Sequence, residues 1–215
     1  MIKAFIFDLD GVLTDTAEYH YLAWKRLAEE EGIVFTRDDN EKLRGVSRRA
    51  SLELILKGRT VPEEIMQEMM DRKNGYYGNF IKTVSEKDLL PGALDLLDRL
   101  KDMNYRLALA SASKNAPTVV ERLGIVHYFE VIADGNSVEK AKPAPDLFLY
   151  VSEKMNLPPA ECLVVEDAEA GIEAARAAGM ATIGIGPQER VGAADFVYLS
   201  VADIRIEDFL SAIDM

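Results

Sequence analysis

The chain has 215 residues, with 25 Lys and Arg against 37 Asp and Glu and a formal net charge of −12. That acidity excludes general electrostatic attraction to nucleic acid or anionic lipid, so an anionic ligand would need a local cluster of cations. No apolar run reaches the ~18–20 residues that cross a bilayer, the N-terminus enters a strand-like stretch rather than a signal peptide, and the single cysteine excludes an intrachain disulfide framework or multi-cysteine metal site; a soluble, cytoplasmic protein is expected.

Taken in chain order, the first element is "IKAFIF" at 2–7, an apolar run rich in aromatic and branched residues. Similar runs recur as "YRLALAS" at 105–111, "CLVVED" at 162–167, where Cys162 reads as a small core residue, and "MATIGIG" at 180–186. Strands apolar on both faces suit a parallel sheet covered by helices. Helix-period segments at 92–103, 116–123, 145–155 and 169–178 alternate with these runs. The pattern predicts an α/β fold with a doubly wound, parallel-sheet (Rossmann-like) core.

The alternation fails between about 15 and 85, where only helical patterns occur. An inserted helical cap domain is expected over 15–85, with 1–14 and 86–215 forming the core. Such an insertion would overhang the C-terminal edge of the sheet, where open α/β folds bind ligands. Met66, Met69, Met70, Tyr76, Tyr77 and Phe80 recur at helical spacing and are expected in the core of that lobe.

Chemistry concentrates at the strand ends. In "FIFDLDGVLTDT", Asp8 and Asp10 are two apart, so an extended backbone points both carboxyl groups to one side. A polar strand end turning at Gly11 would also carry such residues. In "VVEDAEAG", Glu166 and Asp167 end another apolar run, although Asp167 could simply cap the following helix. Several carboxylates together, without His or Cys, specify a hard divalent cation, and Mg²⁺ is the usual choice where phosphate is the other ligand. "ASASKN" places Ser111 and Ser113 between a strand end and a helix N-terminus, a geometry that donates hydrogen bonds to an anion. In "KAKPAPD", Pro143 biases Lys142 towards an extended conformation.

In order, spacing and strand-end placement, "DLDGVLTD", "SAS", the lysine before "PAPD" and "ED" resemble the four motifs of the haloacid dehalogenase superfamily of phosphotransferases. The resemblance implies Asp8 as a nucleophile that becomes an aspartyl phosphate and Asp10 as the general acid/base. It implies Mg²⁺ held by Asp8, the Asp10 backbone carbonyl and Asp167, with Glu166 as a further ligand or supporting acid, and Ser111 and Lys142 on the transferring phosphoryl oxygens.

Within that superfamily, "TDTAEYH", "LRGVSR" and "ASASKNAP" resemble the sugar-phosphate mutases. This implies interconversion of β-glucose 1-phosphate and glucose 6-phosphate through β-glucose 1,6-bisphosphate, with contacts to substrate from Thr16, His20, Trp24, Arg44, Gly45, Ser47, Arg48, Ala112 and Asn115. A bisphosphate that must turn around needs a second phosphate site, and the Arg48 guanidinium suits it, helped by Ser47 and Asn115. His20 would hydrogen-bond with the proton-transfer aspartate; Lys73 is a further candidate. Arg44 stands where the family usually has lysine and Ala168 where it often has serine. A phosphatase of small sugar phosphates is the alternative, and a non-catalytic binding protein a third. No nucleic-acid or membrane partner is expected, and a monomer is.

Overall fold

The computed structural model describes residues 1–44 and 46–208. In chain order its main elements are β1 (Ala4–Phe7), then four helices, α1 (Ala17–Glu30), α2 (Arg37–Glu41), α3 (Arg48–Leu56) and α4 (Glu63–Phe80). There follow α5 (Ala93–Asp102), β2 (Arg106–Ala110), α6 (Ala116–Arg122), β3 (Val131–Ala133), α7 (Asp146–Lys154), β4 (Cys162–Glu166), α8 (Glu169–Ala177), β5 (Ala181–Ile185), α9 (Gln188–Val191) and β6 (Phe196–Tyr198). No helix among the described residues is long and apolar enough to cross a membrane.

The strands pair in parallel in the order β3-β2-β1-β4-β5-β6, a doubly wound α/β sheet. The four inner strands are the four apolar runs, and side-chain alternation explains why both of their faces are apolar. Phe5, Phe7, Leu107, Leu109, Leu163 and Val165 pack on one side with α5 and α6. Ala4, Ile6, Ala108, Ala110, Cys162 and Val164 pack on the other with α7 and α8. Burying each large side chain contributes about 1.5–3 kcal/mol, enough to hold the sheet rigid beneath whatever its C-terminal edge carries. The edge strands β3 and β6, three residues each and only partly buried, have no counterpart in the predicted set.

Helices α1 to α4 follow β1 directly and carry an apolar cluster of their own, including Trp24, Leu27, Leu52, Ile55, Met66, Met69 and Met70. The aromatics of α4 depart from expectation. Tyr77 joins the cluster beneath the sheet, and Tyr76 and Phe80 pack against it, because the last turns of α4 run down onto that layer. The two connections to the sheet lie side by side: Leu90 N–H donates to Leu13 O at 2.9 Å, and Thr14 Oγ1 donates to Asp88 O at 2.7 Å.

Candidate active site

Strands β1 and β4 are neighbours at the point where the strand order reverses, so the residues following them meet at the ligand-binding edge of the sheet. Phe7 is level with Val165, and Asp8 N–H donates to Val165 O at 2.9 Å, which sets Asp8 beside Glu166. One oxygen each from Asp8, Glu166 and Asp167 lies within 4.8 Å of the others, and all three residues are buried. Lys142, joined to Pro143 by a cis peptide bond, places its ammonium among them. It donates to Asp8 Oδ1 at 2.6 Å, Glu166 Oε2 at 2.8 Å and Ala110 O at 3.0 Å. All three of its N–H bonds are thereby committed. Burial opposes its charge, but Asp8 and Glu166 outweigh burial and hold the ammonium above its ordinary value.

Two glycines make this packing possible. Gly11 has φ +76°, and a Cβ there would stand 2.2 Å from Asp167 Oδ2; a Cβ at Gly171 would stand 2.0 Å from Glu166 Cδ. Glu166 Oε1 accepts the N–H groups of Asp167 and Ala168, each at 3.2 Å, so both of its oxygens are engaged. Asp167 does not cap α8, whose first flanking residue is Ala168. Its Oδ2 instead accepts Arg44 Nη1 at 3.1 Å, while its backbone carbonyl accepts Arg190 Nε at 2.7 Å.

Negative charge exceeds what these partners neutralise. Burial first, and the Asp8 charge second, push Glu166 and Asp167 above the usual carboxylate range, against Lys142 in the one case and Arg44 and Arg190 in the other. Asp10 is pushed up to about 6 by burial and then by Asp8, although the Thr16 hydroxyl works the other way. A pocket of crowded carboxylates with no imidazole or thiolate among them is a donor set that fits a hard divalent cation.

The facing wall comes from the helical insertion. Thr16 Oγ1 donates to Asp10 Oδ1 and, having one proton, accepts from Tyr77 OH at 2.9 Å. Lys73 is buried on α4, with Nζ 2.8 Å from His20 Nδ1 and 4.8 Å over the rings of both Trp24 and Tyr77. Burial, then the Lys73 and Arg48 charges, hold His20 well below its ordinary value, so the ring is neutral. With Lys73 donating to Nδ1, the ring proton belongs on Nε2. Arg48 Nη2 donates to Asn74 Oδ1 at 2.8 Å, and the same oxygen accepts Asn115 Nδ2 at 2.9 Å.

Asp8, Asp10, His20, Trp24, Arg44, Arg48, Ser111, Ala112 and Lys73 all line this one cleft between the sheet edge and the insertion. Thr16 lies behind Asp10 and is buried. Ser111 is buried at the end of β2, its Oγ accepting Ser113 N–H at 3.2 Å. The Ser47 hydroxyl accepts Ala50 N–H at 3.2 Å and caps α3, and Asn115 reaches Asn74 rather than lining the cleft floor. Gly45 lies outside the described residues. Sequence reasoning missed Asn74, Tyr77 and Arg190; the helical register of α4 was the available signal for the first two, since Lys73, Asn74 and Tyr77 fall on adjoining faces.

A central parallel sheet, acids at its switch point and a helical insertion above them define a phosphotransferase-type fold. A profile of the haloacid dehalogenase-like hydrolases matches residues 2–179, and the chain belongs to that family. It is 46% identical to the β-phosphoglucomutase of Bacillus subtilis (strain 168) over 96% of this chain and 93% of that one. A solved β-phosphoglucomutase from Clostridium difficile superimposes with a TM-score of 0.95 at 41% identity, covering 100% of this chain and 98% of that one. The chain is also 31% identical to the phosphorylated carbohydrates phosphatase of Thermotoga maritima, over 85% of this chain and 84% of that one.

Proposed function

We propose that the chain is a Mg²⁺-dependent phosphomutase interconverting β-D-glucose 1-phosphate and D-glucose 6-phosphate through β-glucose 1,6-bisphosphate. The observation that carries this reading is that the cleft has two separate cationic poles. Lys142 stands beside Asp8 on the sheet, while Arg48 on the insertion has no ion-paired carboxylate among the described residues; burial, then the Arg48 charge, hold the neighbouring Lys73 well below its ordinary value, so the second pole rests on Arg48. A monophosphate needs one pole; a bisphosphate that must turn around needs two. The likeness to β-phosphoglucomutases over nearly the whole chain supports the same assignment.

In the first half-reaction an Asp8 oxygen attacks phosphorus, the bond from phosphorus to the sugar oxygen breaks, and Asp10 gives that oxygen its proton. Thr16 occupies Asp10 Oδ1, so the transferable proton belongs on Oδ2, and a value near 6 leaves an appreciable protonated fraction near neutrality. In the second half a sugar monophosphate presents the hydroxyl at its unphosphorylated position; deprotonated by Asp10, that oxygen attacks the phosphorus of the aspartyl phosphate, the Asp8–phosphorus bond breaks, and the bisphosphate is re-formed with Asp8 released. Once Asp8 is phosphorylated, the Lys142 N–H now bound to Asp8 Oδ1 is free to follow a phosphoryl oxygen, and Ser111 stands beside it. We assign Asp8, the Asp10 carbonyl and Asp167 as Mg²⁺ ligands, with Glu166, already tied to Lys142, completing the acidic pocket. Bound Mg²⁺ would screen the mutual repulsion of carboxylate and phosphate.

We further assign residues 15–85 as a cap domain over a core of 1–14 and 86–215, hinged where 13–14 meet 88–90. Its closure would exclude water and leave a sugar hydroxyl as acceptor. The chain would act in the cytoplasm as a monomer.

The phosphatase relative favours a second reading, in which water replaces the sugar hydroxyl. A coupled assay on pure β-glucose 1-phosphate, with and without bisphosphate primer, separates the two. Expected are primer-stimulated isomerisation with slow phosphate release, and loss of turnover by at least about 10⁴-fold in Asp8→Asn. Rapid phosphate release without isomerisation would select the phosphatase.

A further inference from the structure

Asn74 joins two side chains from opposite walls of the cleft. Its Oδ1 accepts from Arg48 Nη2, at the start of α3, at 2.8 Å. It also accepts from Asn115 Nδ2, on the sheet side just before α6, at 2.9 Å. Two donors borne on separate elements thus converge on one carbonyl oxygen.

The chemistry of the acceptor matters more than its presence. The adjacent Arg49 shows what a carboxylate partner does here: its guanidinium turns to the surface and pairs with Glu63 at 2.5 and 2.8 Å and with Glu53 at 3.1 Å. Arg48, by contrast, lines the cleft with no ion-paired acid among the described residues; burial lowers its pKa, and the Asp71 charge, too far away to form an ion pair, offsets this only in part. An amide fixes the guanidinium through one of its five N–H donors and leaves its full charge unneutralised, with the remaining donors available to an anion. A carboxylate at the same point would hold Arg48 equally well and cancel the charge.

We propose that Asn74 is a positioning residue of the distal phosphate subsite, where its neutral carbonyl fixes Arg48 and Asn115 about one point while preserving a net positive charge for the phosphate that is not being transferred. The proposal rests on the mutase reading and adds to it the residue that builds the second pole. It also explains why Asn115, expected to touch substrate directly, faces the same oxygen as Arg48.

Asn74→Asp tests it because the variant is isosteric and retains an acceptor oxygen for both donors. If Asn74 were merely structural, Asn74→Asp would be tolerated and Asn74→Ala would be the damaging change. We expect the reverse order. Asn74→Asp should weaken glucose 6-phosphate binding, measured calorimetrically on the Mg²⁺-loaded protein, by about tenfold or more, because an added anion opposes a bound one. It should raise the KM for isomerisation more than it lowers kcat, and leave thermal stability at or above wild type. Asn74→Ala should fall between the two. Phosphorylation of Asp8 by acetyl phosphate, a donor with no second phosphate, should proceed in all three proteins within about twofold.

Wild-type affinity for glucose 6-phosphate in Asn74→Asp would overturn the assignment, as would an equal loss of acetyl phosphate reactivity. A wild-type enzyme that binds glucose 6-phosphate but never isomerises would instead overturn the mutase reading.

Discussion

Asp8 and Asp10 are two residues apart on one strand end, yet the proposed chemistry asks one to stay an anion and the other to hold a proton. Their surroundings separate them. Asp8 accepts from the Lys142 ammonium at 2.6 Å, whereas Asp10 is pushed up by burial first, then by the Asp8 and Asp15 charges, with Thr16 working the other way. His20 offers a cleaner titration. Burial, with Lys73 and Arg48 nearby, keeps its imidazole neutral well below the ordinary 6.5. The unfolded chain binds a proton there near pH 6.5 and the folded chain does not, so this stability is present above that pH and is lost as pH falls towards the folded value. A single such group gives a slope of up to about 1.4 kcal/mol per pH unit. Crowded acids such as Glu166 and Asp167 act in the opposite sense, so the histidine is isolated by difference. Urea midpoints of wild type and His20→Asn, compared at pH 7 and 5, should show a smaller decline for the variant.

At the scale of elements, the acid loops depend on two close approaches more than on any single strong bond. Because Glu166 fills the space beside Gly171, Gly171→Ala should displace the carboxylate and with it the Lys142 contact, at a cost of about 1–3 kcal/mol as in other overpacked interiors. A denaturant midpoint read with divalent ion removed would measure it. The same scale shows what could be read without coordinates. The acids and Lys142 were visible because each follows an apolar run or precedes a proline, so their roles are written in neighbouring residues. The inner strands were visible for the same reason, while β3 and β6 pair along only three residues each at the sheet edges. Tyr77 and Asn74 were not, since helical spacing says that a residue faces inward but not which lobe receives it. Tyr77 is settled by Thr16, 61 positions away, and Asn74 by Asn115, 41 positions away. The cluster of Met66, Met69 and Met70 ended where expected because those residues occupy the upper turns of α4, remote from the sheet.

Across the whole molecule, one polar link between the described residues of the insertion and the sheet edge falls on an acid that a metal would need. Arg44 Nη1 sits 3.1 Å from Asp167 Oδ2. A guanidinium there is a competitor for any divalent ion arriving at the same oxygen. Arg44→Gln should therefore tighten Mg²⁺ binding to the substrate-free protein by about tenfold, read by calorimetry. Reciprocity would make the same contact a sensor: an ion held at Asp167 would weaken the Arg44 contact by as much as that contact weakens the ion, so charging the active centre and loosening its roof would be two descriptions of one equilibrium.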